Sequence, residues 1–220
     1  EEVHSALERC KEISPNADLD IHVCMFVEAD NARELAGTMK ERRAWLDVQV
    51  KPYLDIGYKL TSEVKSFSRL YEAIIQTAIS IEADLLFKPM RQHSLVRRAV
   101  LTSTDWNLIR FCPCPTLLVN HENDVHGKPV LAAIDVLSQD DKHEQLNLVV
   151  LEQAQQVAAV LESEVSCVNA WNMSSAVMAA GSMDPTPYEI ARDKKADHLK
   201  AARVLGERHG IPQERVIVEE

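Results

Sequence analysis

With 220 residues, a formal net charge of −10 and 46% hydrophobic side chains, the chain has material for one large domain or two small ones, and nothing in it argues for disorder. The negative charge argues against nucleic acid, whose binding rests on Lys and Arg neutralising phosphates. No apolar run approaches the ~20 residues that span a bilayer, and five cysteines without framework spacing fit reduced thiols, so a soluble cytoplasmic protein is expected.

The opening residues, EEVHSALERC, carry no initiator Met and no leader-like apolar segment. Val3, Ala6, Leu7 and Cys10 keep one-face helical spacing, which predicts a helix already under way and a chain whose true start is missing. After the polar turn Ser14–Asp18, the run IHVCMFV (21–27) reads as a strand buried on both faces, the mark of a helix-covered parallel sheet. A long helix is predicted over 32–54, with Leu35, Met39, Trp45, Val48, Val50 and Leu54 along its apolar stripe. Its Lys40-Glu41-Arg42-Arg43 run reads as a solvated face.

Residues 60–67 read as a weaker, edge-like strand, Ser68 as a cap for a helix over 70–81, and 84–88 as a short buried strand. An irregular loop follows. Thr104 or Ser103 is the expected cap of a helix running to Phe111, with Asp105 at its positive end and Trp106 packed into the core. The strand at 115–119 is entered through Cys112-Pro113-Cys114-Pro115. Both thiols follow a helix C-terminus, where the dipole opposes a thiolate. Cys114-Pro115 therefore reads as a buried structural entry to the strand and Cys112 as an exposed thiol, with a redox role as the minor reading.

Residues 121–128 are polar and contain a Gly, and are read as a linker. Beyond it the order restarts: a strand at 130–136, a helix at 144–162, a strand at 165–171, a helix at 187–209 and a strand at 216–218. The stretch EISPNADLDIHVCMFVEA (12–29) holds the place in the first half that LESEVSCVNAWNMSS (161–175) holds in the second. Alternating strands and helices predict α/β units with parallel sheets. The reading is two domains, 1–120 and 129–220, the first without its N-terminal strand and the second without its C-terminal part.

At LYEAIIQ (70–76), TSTDWNLIRFCPCP (102–115), KPVLAAIDV (128–136) and HGIPQERVIVEE (209–220) the sequence resembles the universal stress protein family, of the tandem-domain type. That resemblance implies a Rossmann-like, adenine nucleotide alpha hydrolase-like fold with parallel five-stranded sheets. It also implies domain pairing through the strand Thr116–Val119, within the chain or in a homodimer. The nucleotide-binding branch of the family holds ATP phosphates on a loop of pattern G-x2-G-x9-G-S/T. Here the glycines fall on Pro89, Gln92 and Thr102, and only the terminal hydroxyl residue survives, as Ser103. Pro offers no N–H, and Gln and Thr tolerate positive φ poorly, so the first repeat is expected not to bind ATP. The second repeat keeps Asp135 at the end of its first strand, a candidate nucleotide contact against the plainer reading of a turn carboxylate. ATP in an intact second repeat stays open.

Lys88, Arg91, His93, Arg97 and Arg98 form the one local basic cluster. It suits an anion, or else a solvated loop. Eight histidines give no metal-binding spacing beside a carboxylate, and no Cys-x-x-Cys accompanies them, so no metal is expected. Ser103 lacks a nucleophile elbow. The expectation is a non-catalytic stress-response protein that binds a small ligand or a protein partner. The alternatives are a nucleotide binder or hydrolase using the second repeat, and a receptor for an apolar ligand.

Overall fold

A computed structural model describes residues 5–13, 19–28, 32–90, 92–93, 96–99, 101–120, 125, 127–137, 141–172 and 187–219. The chain divides into two compact units, Glu1–Asn123 and Asp124–Glu220, each with its own core.

The first unit runs α1 (Ser5–Ile13), β1 (Asp20–Val27), α2 (Ala32–Asp55), β2 (Lys59–Ser66), α3 (Leu70–Ser80), β3 (Leu86–Pro89), β4 (Gln92–His93), β5 (Val96–Ala99), α4 (Ser103–Phe111) and β6 (Thr116–Val119). β1 and β2 pair in parallel from Asp20↔Lys59 to Val27↔Ser66, and β3 pairs in parallel with β6 from Leu86↔Thr116. Where an irregular loop was expected, β4 and β5 make a small antiparallel ribbon. The second unit runs β7 (Val130–Ala133), α5 (Asp141–Val160), β8 (Val165–Ala170), α6 (Pro187–Arg208) and β9 (Val216–Glu219), with its strands in the parallel order β7-β8-β9. The class is α/β with parallel strands. Among the described residues no five-stranded sheet forms, because no hydrogen bonds join the β1–β2 pair to the β3–β6 pair.

The first core gathers Leu7, Val23, Leu46, Val50 and Tyr53. Leu46, Val50 and Tyr53 stand at i, i+4 and i+7 of α2, and that stripe is the buried one. Val48 and Leu54, expected on it, are exposed, because they lie off that face. Burial of a side chain such as Leu46 contributes about 2 kcal/mol. The Tyr53 hydroxyl donates to Glu8 and ties α1 to α2.

Period-two alternation places Val23 and Val27 in the interior, while His22, Cys24 and Phe26 point to the other face, which is only half covered. The expectation that β1 is buried on both faces is therefore corrected. The parallel register sets Thr61, Glu63 and Lys65 of β2 directly beside His22, Cys24 and Phe26.

In the second core, alanines at 132, 154, 158 and 202 let helices lie close to the sheet around Leu151 and Cys167. At Gly206 of α6 an added Cβ would meet Val216 Cγ2 at 3.2 Å, so this glycine serves close approach to β9.

Four helices close in one way, an N–H reaching the carbonyl five residues back: Tyr58 to Tyr53, Ala83 to Ala78, Ser163 to Ala158 and Ile211 to Gly206. The residue before each donor is left-handed, with φ of 98° at Gly57, 51° at Glu82, 49° at Glu162 and 70° at Gly210. At the start of α3 the capping position belongs to Arg69 rather than Ser68. Arg69 makes no capping bond and instead pairs with Glu72 at 2.9 Å.

Candidate functional site

In open α/β sheets ligands bind beyond the carboxyl ends of the strands, so these ends are where each unit is tested. In the first unit, α4 is capped by Thr102, not by Ser103 or Thr104, because the spacing Thr102-x-x-Asp105 closes a reciprocal capping box. The Thr102 N–H donates to Asp105 Oδ2 at 2.6 Å, and its hydroxyl, 2.8 Å from the same oxygen, lies 3.3 Å from the Asp105 N–H. From β3, the Lys88 ammonium reaches Asp105 Oδ1 at 2.6 Å. Asp105 is fully buried and Lys88 is 13% exposed. Burial pushes the Asp105 carboxyl up, but Lys88 and the Thr102 N–H and hydroxyl outweigh it and hold the group below its ordinary value of 3.8.

A helix N-terminus is the natural seat for a bound anion. At α4 that seat carries the chain's own carboxylate, already neutralised by Lys88. Ser103 is exposed at the first helical position. Lys88 is thus withdrawn from the predicted basic cluster. Arg91 and the side chains of His93, Arg97 and Arg98 lie outside the described residues.

The second unit secures the corresponding ends with neutral amides. Asp135 is exposed just past β7, and its own peptide is clamped by buried Asn147 of α5. The Asp135 N–H donates to Asn147 Oδ1 at 2.9 Å, and Asn147 Nδ2 donates to the Asp135 carbonyl at 2.6 Å. Beside it, Asn169 of β8 is 1% exposed, donates to the Ile134 carbonyl at 2.9 Å, and holds Oδ1 2.7 Å from His198 Nδ1 of α6. The His198 ring lies 6.1 Å from that of Trp171, whose indole N–H is buried without a hydrogen-bond partner among the described residues. Asn147, Asn169, His198 and Trp171 were not singled out in the sequence. A buried Asn in a strand is a signal of a kind, since its amide demands partners.

Two further expectations are corrected. Trp106 is 51% exposed, because Asp105 and Leu108 are the buried residues of α4 and Trp106 faces away from them. Cys114 is half-buried, as is Cys112, and their sulfurs stand 3.8 Å apart. Burial, followed by the neighbouring Cys112, raises the Cys114 thiol to about 11.

Helix-flanked parallel strands, with polar groups gathered at the strand ends of each unit, set the class as α/β. Residues 2–120 match the universal stress protein family, and the chain belongs to it. It is 29% identical over 215 residues to universal stress protein E of Escherichia coli K12, covering 96% of this chain and 67% of that protein. The universal stress protein E homolog of Haemophilus influenzae is 22% identical over 92% of this chain and 66% of its own length. Among solved structures, a functionally unknown protein from Pseudomonas aeruginosa PAO1 superposes with a TM-score of 0.72 at 20% identity, covering 97% of this chain and 68% of that one. A second, from Pseudomonas aeruginosa UCBPP-PA14 and described as a putative universal stress protein, gives 0.66 at 21% identity with the same coverage. The chain spans about two thirds of the length of the relatives it matches. No helix among the described residues is long and apolar enough to cross a membrane.

Proposed function

We propose that the chain is a non-catalytic stress-response protein, built of two universal stress units in tandem, that acts by binding a small ligand or a protein partner. Family membership and similarity to universal stress protein E carry the stress-response role. The observation that carries the ligand assignment is the Lys88–Asp105 pair at the start of α4. A phosphate brought to that helix end meets a buried carboxylate, and the loop before it lacks the glycines that let backbone N–H groups approach an anion. The first unit is therefore the non-nucleotide unit.

The second unit is the better seat for a ligand. Asp135 is solvent-facing at a strand end, and the orphan indole N–H of Trp171 offers a donor just past the end of the adjoining strand β8. An adenine nucleotide is the second reading for that seat. Pairing of universal stress units through Thr116–Val119 and a cytoplasmic location belong to the same proposal.

Calorimetry with ATP on the protein and on Asp135→Ala tests it. Binding that is absent, or lost with Asp135→Ala, agrees with the reading. Stoichiometric micromolar binding that survives Asp135→Ala overturns the assignment of the first unit. Turnover of ATP above a heat-inactivated control overturns the non-catalytic reading. Native mass spectrometry of the purified protein then identifies any retained ligand.

A further inference from the structure

On the half-covered face of β1 and β2, three side chains of metal-ligating type converge. His22 and Cys24 stand at i and i+2 and share a face, and the parallel register sets Glu63 directly opposite Cys24. One ligand atom from each, the His22 ring nitrogen, the Cys24 sulfur and a Glu63 oxygen, lies within 4.8 Å of the others. All three residues are half-buried, open enough for an ion to enter and covered enough to strip some of its water.

The imidazole is already oriented. His22 Nδ1 lies 2.8 Å from the Thr61 hydroxyl, which leaves Nε2 facing Glu63 Oε1 at 2.8 Å. A hydrogen-bond partner on the far nitrogen is the usual support of a metal-bound histidine. The short contact between Nε2 and the carboxylate is held by a proton, and a cation is what can replace that proton. Lys65 competes for the carboxylate: its ammonium sits 2.6 Å from the same Oε1, with the Thr77 hydroxyl 3.1 Å away as a second anchor.

The fold does not require this set. The strand pair β8–β9 of the second unit has the same register, Cys167↔Val216 for Val23↔Ser62, and places Ser166, Val168 and Ile217 where the first unit has His22, Cys24 and Glu63.

We propose that His22, Cys24 and Glu63 form a divalent-cation site matched to zinc on the half-open face of the β1–β2 pair. A nitrogen, a thiolate and a carboxylate with a position left for water is a donor set zinc accepts, at about 2.0–2.3 Å per bond and hence about 3.4 Å between ligand atoms. Small side-chain shifts reach that spacing from the present one. Binding releases the thiol proton of Cys24, moves the His22 ring proton from Nε2 to Nδ1, where the Thr61 hydroxyl accepts it, and swings Lys65 to Thr77. Without metal, burial and then the adjacent Glu63 carboxylate raise the Cys24 thiol to about 11, and a bound cation reverses that balance.

The test uses the whole 220-residue chain, with cobalt(II) as the spectroscopic probe and zinc(II) measured by competition against a chromophoric chelator. One cobalt per chain with a thiolate-to-cobalt charge-transfer band is expected, and the band should vanish in Cys24→Ser. His22→Gln and Glu63→Gln should each weaken zinc binding about tenfold or more. Lys65→Met should bind zinc more tightly, since it removes both the competitor and a like charge. That gain cannot be imitated by a misfolded variant. Persistence of the band in Cys24→Ser, its loss in Cys112→Ser/Cys114→Ser instead, or unchanged or weaker zinc binding in Lys65→Met each overturns the proposal.

Discussion

The two units solve the same problem at their strand ends with opposite chemistry. The first uses charge: Asp105 and Lys88 are taken out of water together, and His22, Glu63 and Lys65 form a second ionisable group on the β1–β2 face. The second uses amides, with Asn147 and Asn169 bracketing Ile134 and Asp135 through neutral hydrogen bonds. A neutral hydrogen bond keeps its strength across ordinary pH, whereas an ion pair depends on both partners being charged. The Lys88–Asp105 pair of the first unit is thus a strand-end contact that answers directly to protonation.

The sharpest way to break the comparison is Asp105→Ala. It removes the capping box of α4 and leaves the Lys88 ammonium without its partner, a loss of about 3–5 kcal/mol for a buried pair broken from one side. Urea unfolding followed by Trp45 and Trp106 should show this loss. Trp171, isolated by Trp45→Phe and Trp106→Phe, should report the second unit's transition little changed.

Asn147→Ala is the matching change on the other side. Two hydrogen bonds to the Asp135 peptide disappear, at about 1–2 kcal/mol in total because the exposed turn can bond water. The transition followed by Trp171 should move and that followed by Trp106 should not. An equal shift at both probes would show that the units do not unfold separately.

Acidification is the mildest probe. The folded Asp105 carboxyl lies below its ordinary value of 3.8, so its contribution is fully present above that value and is lost as pH falls through the folded value. Denaturation curves of the first unit should therefore be flat from pH 7 to about 5 and decline below about pH 4. Asp105→Asn should flatten that decline in the first unit.

Elements were legible wherever the apolar rhythm was strong. The strand read at 21–27 is Asp20–Val27, and the helix read at 187–209 is Pro187–Arg208. The buried stripe of α2 was misread because several apolar residues compete for it, and only packing against β1 and β2 selects Leu46, Val50 and Tyr53. The absence of glycine at 89, 92 and 102 can be read directly from the sequence. The pairing of Lys88 with Asp105 cannot, since the two lie 17 residues apart and meet only through the pairing of β3 and the entry to α4. Likewise, no spacing rule links His22 and Cys24 to Glu63. Their meeting depends on parallel register, which a single sequence does not print.

The four helix ends closed by the same five-residue bond split evenly, one glycine and one glutamate in each unit. Glycine holds a left-handed backbone freely, whereas a side chain there meets a penalty of about 1 kcal/mol, and a carboxylate at a helix C-terminus also faces the wrong end of the dipole. Glu82 and Glu162 are therefore stability left in reserve, one position in each half, open to an engineer who wants a tougher protein without touching any strand end.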